Sequence, residues 1–75
     1  MDMKKLRISE KQVRIAMAMS GIKTIEDLAR NSNLGTATLN NVLKGQGFRS
    51  STVDAIAETL GGSPIDYLEI TETDD

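Results

Sequence analysis

The chain has 75 residues and a net charge of −2, which leaves room for one domain with a thin core. It contains no cysteine and no histidine, so disulfides, thiolate or imidazole metal sites, and the Ser-His and Cys-His catalytic pairs are excluded. Because a chain of this size encloses little cavity, we expect no enzyme activity, no cofactor and no small-molecule substrate.

The hydropathy pattern predicts a cytoplasmic protein with no membrane partner. No apolar run approaches the ~20 residues that span a bilayer. The charged start of the chain, MDMKKLR, leads into no apolar stretch of the kind that a secretory leader contains.

The charges are distributed very unevenly along the chain. Residues 1–49 hold all nine basic residues and four of the eleven acids, a net charge of +5. Residues 50–75 hold the other seven acids and no base, a net charge of −7. The basic first part indicates a negatively charged partner, although charge of either sign also serves solubility alone.

The first predicted elements are a basic arm and a helix. Residues 1–9 predict a basic N-terminal arm, in which only LRI at 6–8 has the character of a short extended segment. Ser9 and Gln12 have the spacing of a capping box, which predicts a helix from about residue 10. The helix is expected to end near residue 20 because Gly21 tolerates the left-handed conformation of a C-terminal cap.

Two further helices, joined by a tight turn, are predicted at 25–32 and 36–44. Thr24 is a good N-terminal cap for the first of them. Asn33 visits positive φ more readily than most residues, so it suits the turn. Gly45 is expected to stop the second helix.

The last predicted elements are helices at 51–60 and 64–69 and a tail. Ser50 or Ser51 opens the fourth helix, and Ser63-Pro64 opens a short fifth helix that points Ile65 inward. The acidic composition of residues 70–75 predicts a disordered tail. The expected core consists of Val13, Met17, Leu28, Ala29, Leu34, Leu39, Val42, Val53, Ile56, Ala57, Leu60 and Leu68.

Four stretches resemble a known family. They are TIEDLA at 24–29, NL at 33–34, TATLNNVLKG at 36–45 and VDAIAETLGGSPIDYL at 53–68. In these stretches the chain resembles the phage Cro and repressor helix-turn-helix group, also called the XRE family. The resemblance implies an all-α, five-helix lambda-repressor-like helix-turn-helix domain over residues 10–69, in a bacterial host cell. It also implies that helix 36–44 lies in a DNA major groove.

The resemblance assigns candidate contacts to individual residues, although each has the alternative of a solvated surface group. The outward side chains of the third helix would meet a DNA operator or a partner protein: Thr36, Ala37, Thr38, Asn40, Asn41 and Lys44. Phosphate contacts would come from the start of the second helix and from the arm: Lys4, Lys5, Lys23 and Thr24, with Arg7 as a further basic residue of the arm.

The chain departs from the family at positions that weaken DNA contact. Ile25 stands where the family commonly has a phosphate-binding Gln, Leu43 is apolar where a polar group is usual, and the third helix has no Arg. Ile25 and Leu43, with Ala37, could form an apolar patch typical of a protein interface, unless Ile25 packs inward.

These features leave two main hypotheses. The first is a transcriptional regulator that binds a double-stranded DNA operator as a weak homodimer, with the fourth and fifth helices in the dimer contact. The second is an antirepressor that binds a partner phage repressor through the same face. A third class, the antitoxin of a toxin–antitoxin pair, fits the size, but the chain after Leu68 is short for a toxin-wrapping segment.

Overall fold

The computed structural model describes residues 3–73 and contains four α-helices, one 3₁₀ turn and a two-stranded antiparallel sheet. None of the helices in this range is long and apolar enough to cross a membrane. In chain order the elements are β1 (Met3–Ile8), α1 (Glu10–Ser20), α2 (Ile25–Ser32), α3 (Thr36–Leu43), α4 (Ser50–Leu60), the 3₁₀ turn (Pro64–Tyr67) and β2 (Leu68–Thr73).

The four α-helices agree with the predicted bounds to within one residue, and α1 and α2 carry the local start and stop signals that the sequence predicts. The Ser9 hydroxyl accepts a hydrogen bond from the Gln12 amide at 3.2 Å, and the Thr24 hydroxyl accepts one from the Asp27 amide at 3.0 Å. Gly21 and Asn33 both close their helices in the left-handed conformation, with φ of 75° and 60°. The predicted caps of α1 and α2 are therefore confirmed.

The predicted fifth helix is wrong in kind and in length. Residues 64–67 form a single 3₁₀ turn, and the chain is already extended at Leu68, with φ −112° and ψ 148°. The Ser63 amide donates to the Asp66 carboxylate at 2.9 Å, which fixes the start of the turn. Ile65, expected to point inward, is 74% exposed, because one turn is too short to bury a continuous face.

Residues 6–8 are extended as predicted, but the separate arm and most of the predicted disordered tail are wrong, because β1 and β2 pair with each other. β1 and β2 run antiparallel with Ile8 opposite Leu68 and Met3 opposite Thr73. The basic strand thereby lies beside an acidic one, which makes the pairing electrostatically favourable. We call this pair of strands the terminal ribbon. The remaining residues of the predicted arm and tail, 1–2 and 74–75, lie outside the described residues.

One apolar core joins the helices and the base of the terminal ribbon. Nine of the twelve expected core residues are buried, while Leu34, Leu60 and Leu68 are half-buried against the cluster. Ile8, Leu43 and Tyr67 belong to the core although they were not expected there. Two of these three lie at the joints between the ribbon and the helices, so the ribbon is part of the packed domain.

Candidate nucleic-acid interface

The turn between α2 and α3 is held by backbone geometry and by the core. Asn33 takes the left-handed conformation, and the Leu34 amide donates to the Ala29 carbonyl at 3.0 Å. Leu39 is fully buried beneath α3, with Val42 beside it. These contacts fix which face of α3 packs inward, and they confirm the expected alignment of this helix.

The opposite face of α3 carries a stripe of small and polar side chains. Thr36, Ala37, Asn40, Asn41 and Lys44 are all exposed. Their spacing places them on one side of the helix, away from Leu39 and Val42. We call these five residues the α3 stripe. Its amides and hydroxyls can donate and accept hydrogen bonds, and its short side chains allow a close approach to a groove.

Thr38 is exposed but does not belong to the α3 stripe. It lines an open groove of about 400 Å³ together with Val42 and Phe48, where α3 faces the loop that leads to α4. The sequence pattern alone does not separate Thr38 from the stripe, because both flanks of the helix are outward-facing.

The N-terminal ends of α2 and α3 differ in the charges that surround them. Glu26 and Asp27 lie in the first turn of α2, and the Thr24 hydroxyl already caps that turn. The first turn of α3 has no acid, and Gly35 supplies no side-chain cap. The positive end of the α3 dipole is therefore the better placed of the two for a phosphate, and the acids of α2 oppose one at Thr24.

The basic candidates are exposed and come from separate elements. Lys44 caps the C-terminal end of α3, and Lys23 directly precedes the cap of α2. Lys4 and Lys5 lie on β1, a strand that contacts the end of α3. Arg7, on the same strand, is half-buried, and its Nη2 donates to the Leu43 carbonyl at 2.8 Å. Arg7 is therefore engaged within the protein, a contact between distant residues that the sequence alone does not indicate.

The expected apolar patch of Ile25, Leu43 and Ala37 is not present. Leu43 is only 4% exposed, because it follows Leu39 by four residues and lies on the inner side of α3. Ile25 is half-buried against the core cluster. The proposal that Leu43 forms part of an exposed protein interface is thus wrong, and Ile25 packs inward in part.

The family model described as the Cro/C1-type helix-turn-helix DNA-binding domain matches residues 11–73. The matched range begins in α1 and runs to the end of β2, so it includes α2, α3 and the turn between them. No curated protein and no solved structure matches the chain.

Proposed function

The chain belongs to the Cro/C1-type helix-turn-helix DNA-binding family, and we propose that it is a phage-type transcriptional regulator that places α3 in the major groove of an operator. The observation that carries the proposal is the α3 stripe: five exposed small or polar side chains on one face of the second helix of the motif. We propose a binding role without catalysis and without a cofactor.

Base reading is assigned to the first two turns of α3. A side-chain amide such as that of Asn40 or Asn41 can pair with the N6 and N7 positions of adenine. Ala37 and the methyl group of Thr36 suit contact with the methyl group of thymine. Lys44 and the free amides at the start of α3 would hold phosphates, with Lys23, Lys4 and Lys5 as further candidates.

DNA is proposed as the ligand in preference to a partner repressor. The antirepressor alternative drew on an exposed apolar patch around Ile25 and Leu43, and the burial of Leu43 removes that support. What remains in its favour is Ile25 in place of a phosphate-binding Gln, the acidic residues 50–75, which could face the basic surface of a partner, and the lack of an Arg on α3. The α3 surface without an Arg is still polar and suits base contacts.

The test begins with selection of bound sequences from a random duplex DNA library. We expect an enriched motif, because side chains that meet base edges discriminate between base pairs. Asn40→Ala and Asn41→Ala should each then reduce discrimination by roughly 1–3 kcal/mol on the selected site. Lys44→Ala should weaken selected and random DNA alike and lower the slope of log K against log salt by about one unit.

Lys11→Met is the matched control for these measurements, because Lys11 is an exposed cation on α1 outside the α3 stripe. It should leave base discrimination unchanged. Failure to enrich any sequence, or equal losses on selected and random DNA for Asn40→Ala and Asn41→Ala, would contradict direct reading by α3.

A further inference from the structure

Arg7 reaches from the terminal ribbon to the end of α3. Its Nη2 donates to the carbonyl oxygen of Leu43, the last residue of that helix, at 2.8 Å. Its Nε donates to the Ile8 carbonyl at 3.2 Å, which orients the guanidinium group. The side chain is half-buried, whereas the neighbouring Lys4 and Lys5 are exposed. Arg7 therefore differs in its contacts from the other cations of the strand.

The backbone beyond α3 leaves space for the guanidinium group. Gly45 has a φ of 99°, and a Cβ at this position would lie 2.9 Å from Nη1 and 3.1 Å from Cζ of Arg7. A side chain at Gly45 would therefore require the guanidinium group of Arg7 to shift, in a backbone conformation that already disfavours side chains. The close approach at Gly45 and the hydrogen bond at Leu43 independently place Arg7 at this end of the helix.

A cation is favourable here because the last carbonyls of a helix form the negative end of its dipole. The last turn of α3 contains no basic residue, and Lys44 at its cap is exposed, so Arg7 adds a second cation from another element that donates directly to a terminal carbonyl. The same turn fixes the backbone of two residues of the α3 stripe. The Lys44 amide donates to the Asn40 carbonyl at 3.1 Å, and the Gln46 amide donates to the Asn41 carbonyl at 3.1 Å.

The ribbon holds Arg7 firmly. Arg7 is paired with Glu69 of β2 in the antiparallel register, and the next residue, Ile8, is fully buried. The Ser9 amide donates to the Tyr67 carbonyl at 2.8 Å, which joins the two strands to the start of α1. Both ends of the described chain thus fix the residue that contacts the end of α3.

We infer that Arg7 is a positioning residue for the recognition helix: it holds the last turn of α3, and with it Asn40 and Asn41, without contacting DNA itself. The inference rests on the proposed function of α3. It assigns to Arg7 an effect on base discrimination that its charge alone would not produce.

The test compares Arg7→Met, which keeps most of the aliphatic stem, with Lys11→Met, which makes the same change in net charge. We expect Arg7→Met to lose roughly fivefold in affinity for the selected site, with little change on random DNA and no change in the salt slope beyond that of Lys11→Met. Arg7→Lys, which keeps the charge but has a single donor atom, should recover part of the loss.

Amide hydrogen exchange provides a readout that is independent of DNA. The amides of Lys44, Gly45 and Gln46 should exchange faster in Arg7→Met than in the wild type, while those of α1 stay unchanged. If Arg7→Met does not fold, the same exchange and affinity measurements are made on Arg7→Lys.

Two results would overturn the inference. A salt slope that falls by about one unit, with equal losses on selected and random DNA, would make Arg7 a phosphate contact. Affinity and exchange indistinguishable from the wild type would remove any role for Arg7 at α3. If the wild type selects no DNA sequence, the proposed function fails, while exchange still decides whether Arg7 holds the end of α3.

Discussion

Leu39 is the residue on which the orientation of α3 depends most directly. Its side chain is fully buried between α3 and the rest of the core, and truncation would leave a cavity. Leu39→Ala should lower the free energy of unfolding by roughly 2–5 kcal/mol, a large share of the stability of a small domain. Urea denaturation measures the change. Ile65→Ala, at a position that is 74% exposed, is the control and should stay within about 0.5 kcal/mol of the wild type.

Tyr67 makes the stability of the folded domain depend on pH in the alkaline range. Its hydroxyl donates to the Gly61 carbonyl. Burial, and secondarily the nearby Asp66 carboxylate, raise the pKa of the Tyr67 phenol above its ordinary value of 10.0. The folded state therefore holds this proton more tightly than the unfolded chain. The resulting stability is complete below about pH 10 and is lost as the pH rises through the folded-state pKa.

The variant Tyr67→Phe separates this effect from the titration of the lysines. At neutral pH we expect it to cost about 1 kcal/mol, through the lost hydrogen bond to Gly61. Above about pH 10 the difference in melting temperature between wild type and variant should shrink, because the wild type alone has a Tyr67 phenol to ionise. A constant difference across this range would mean that the proton on Tyr67 does not contribute to folding.

Among the elements, the helices could be predicted from the sequence and the ribbon could not. A cap such as Ser9 or Asn33 acts on residues three or four positions away, so its signal is contained in a short window. Strand pairing joins Met3 to Thr73, and neither segment shows alternation strong enough to indicate a strand alone. The available signals, the extended character of residues 6–8 and the opposite charges of the two ends, do not specify that the ends pair.

Replacement of the glycines at the two ends of α3 should change the free energy of unfolding in opposite directions. Gly35, the N-terminal cap, has φ −74° and ψ 144°, and a Cβ there would lie 3.6 Å from the Thr38 hydroxyl oxygen, an ordinary contact. Gly35→Ser should therefore raise the free energy of unfolding by a few tenths of a kcal/mol, since serine can cap the helix. The paired variant Gly45→Ala should destabilise, because of its positive φ and the guanidinium group of Arg7. Thermal melts of both variants test this, and a stabilising Gly45→Ala would contradict the strain expected from the positive φ at this position.

On the scale of the whole molecule, the charge asymmetry of the sequence does not divide the folded structure into a basic half and an acidic half. The ribbon places Lys4 and Arg7 in register with Glu72 and Glu69, so the most basic and most acidic segments lie side by side. The α3 stripe contains no acid and only one cation. The outward residues of α3 that the sequence predicts are exposed in the structure, but the total charge of each half of the sequence is no guide to where this candidate site lies.

In the proposed DNA complex, the size of the molecule limits how many half-sites one copy can contact. The described residues measure 41 × 22 × 19 Å and present a single α3, which suffices for one half-site. The largest exposed apolar side chains are divided between α1, the 3₁₀ turn and the ribbon: Ile15, Met19, Ile65, Leu6 and Ile70. A stable dimer buries about 1,600 Å² in one continuous surface. We therefore predict a monomer at micromolar concentration that pairs only when two copies occupy neighbouring half-sites.

Half-site spacing is the measurement that tests this prediction. Sedimentation equilibrium without DNA should give a monomer, and binding to DNA should be cooperative when the half-site centres lie about 10 base pairs apart, since this places both copies on the same side of the duplex. Shifting one half-site by about five base pairs turns it to the opposite side and should abolish cooperativity while leaving single-site affinity intact.

Ile65→Lys in the exposed 3₁₀ turn should have the same effect as the shift if the turn and α4 form the contact. A dimer that persists without DNA at nanomolar concentration, or cooperativity that ignores the spacing, would show that the subunits meet through a surface independent of the operator.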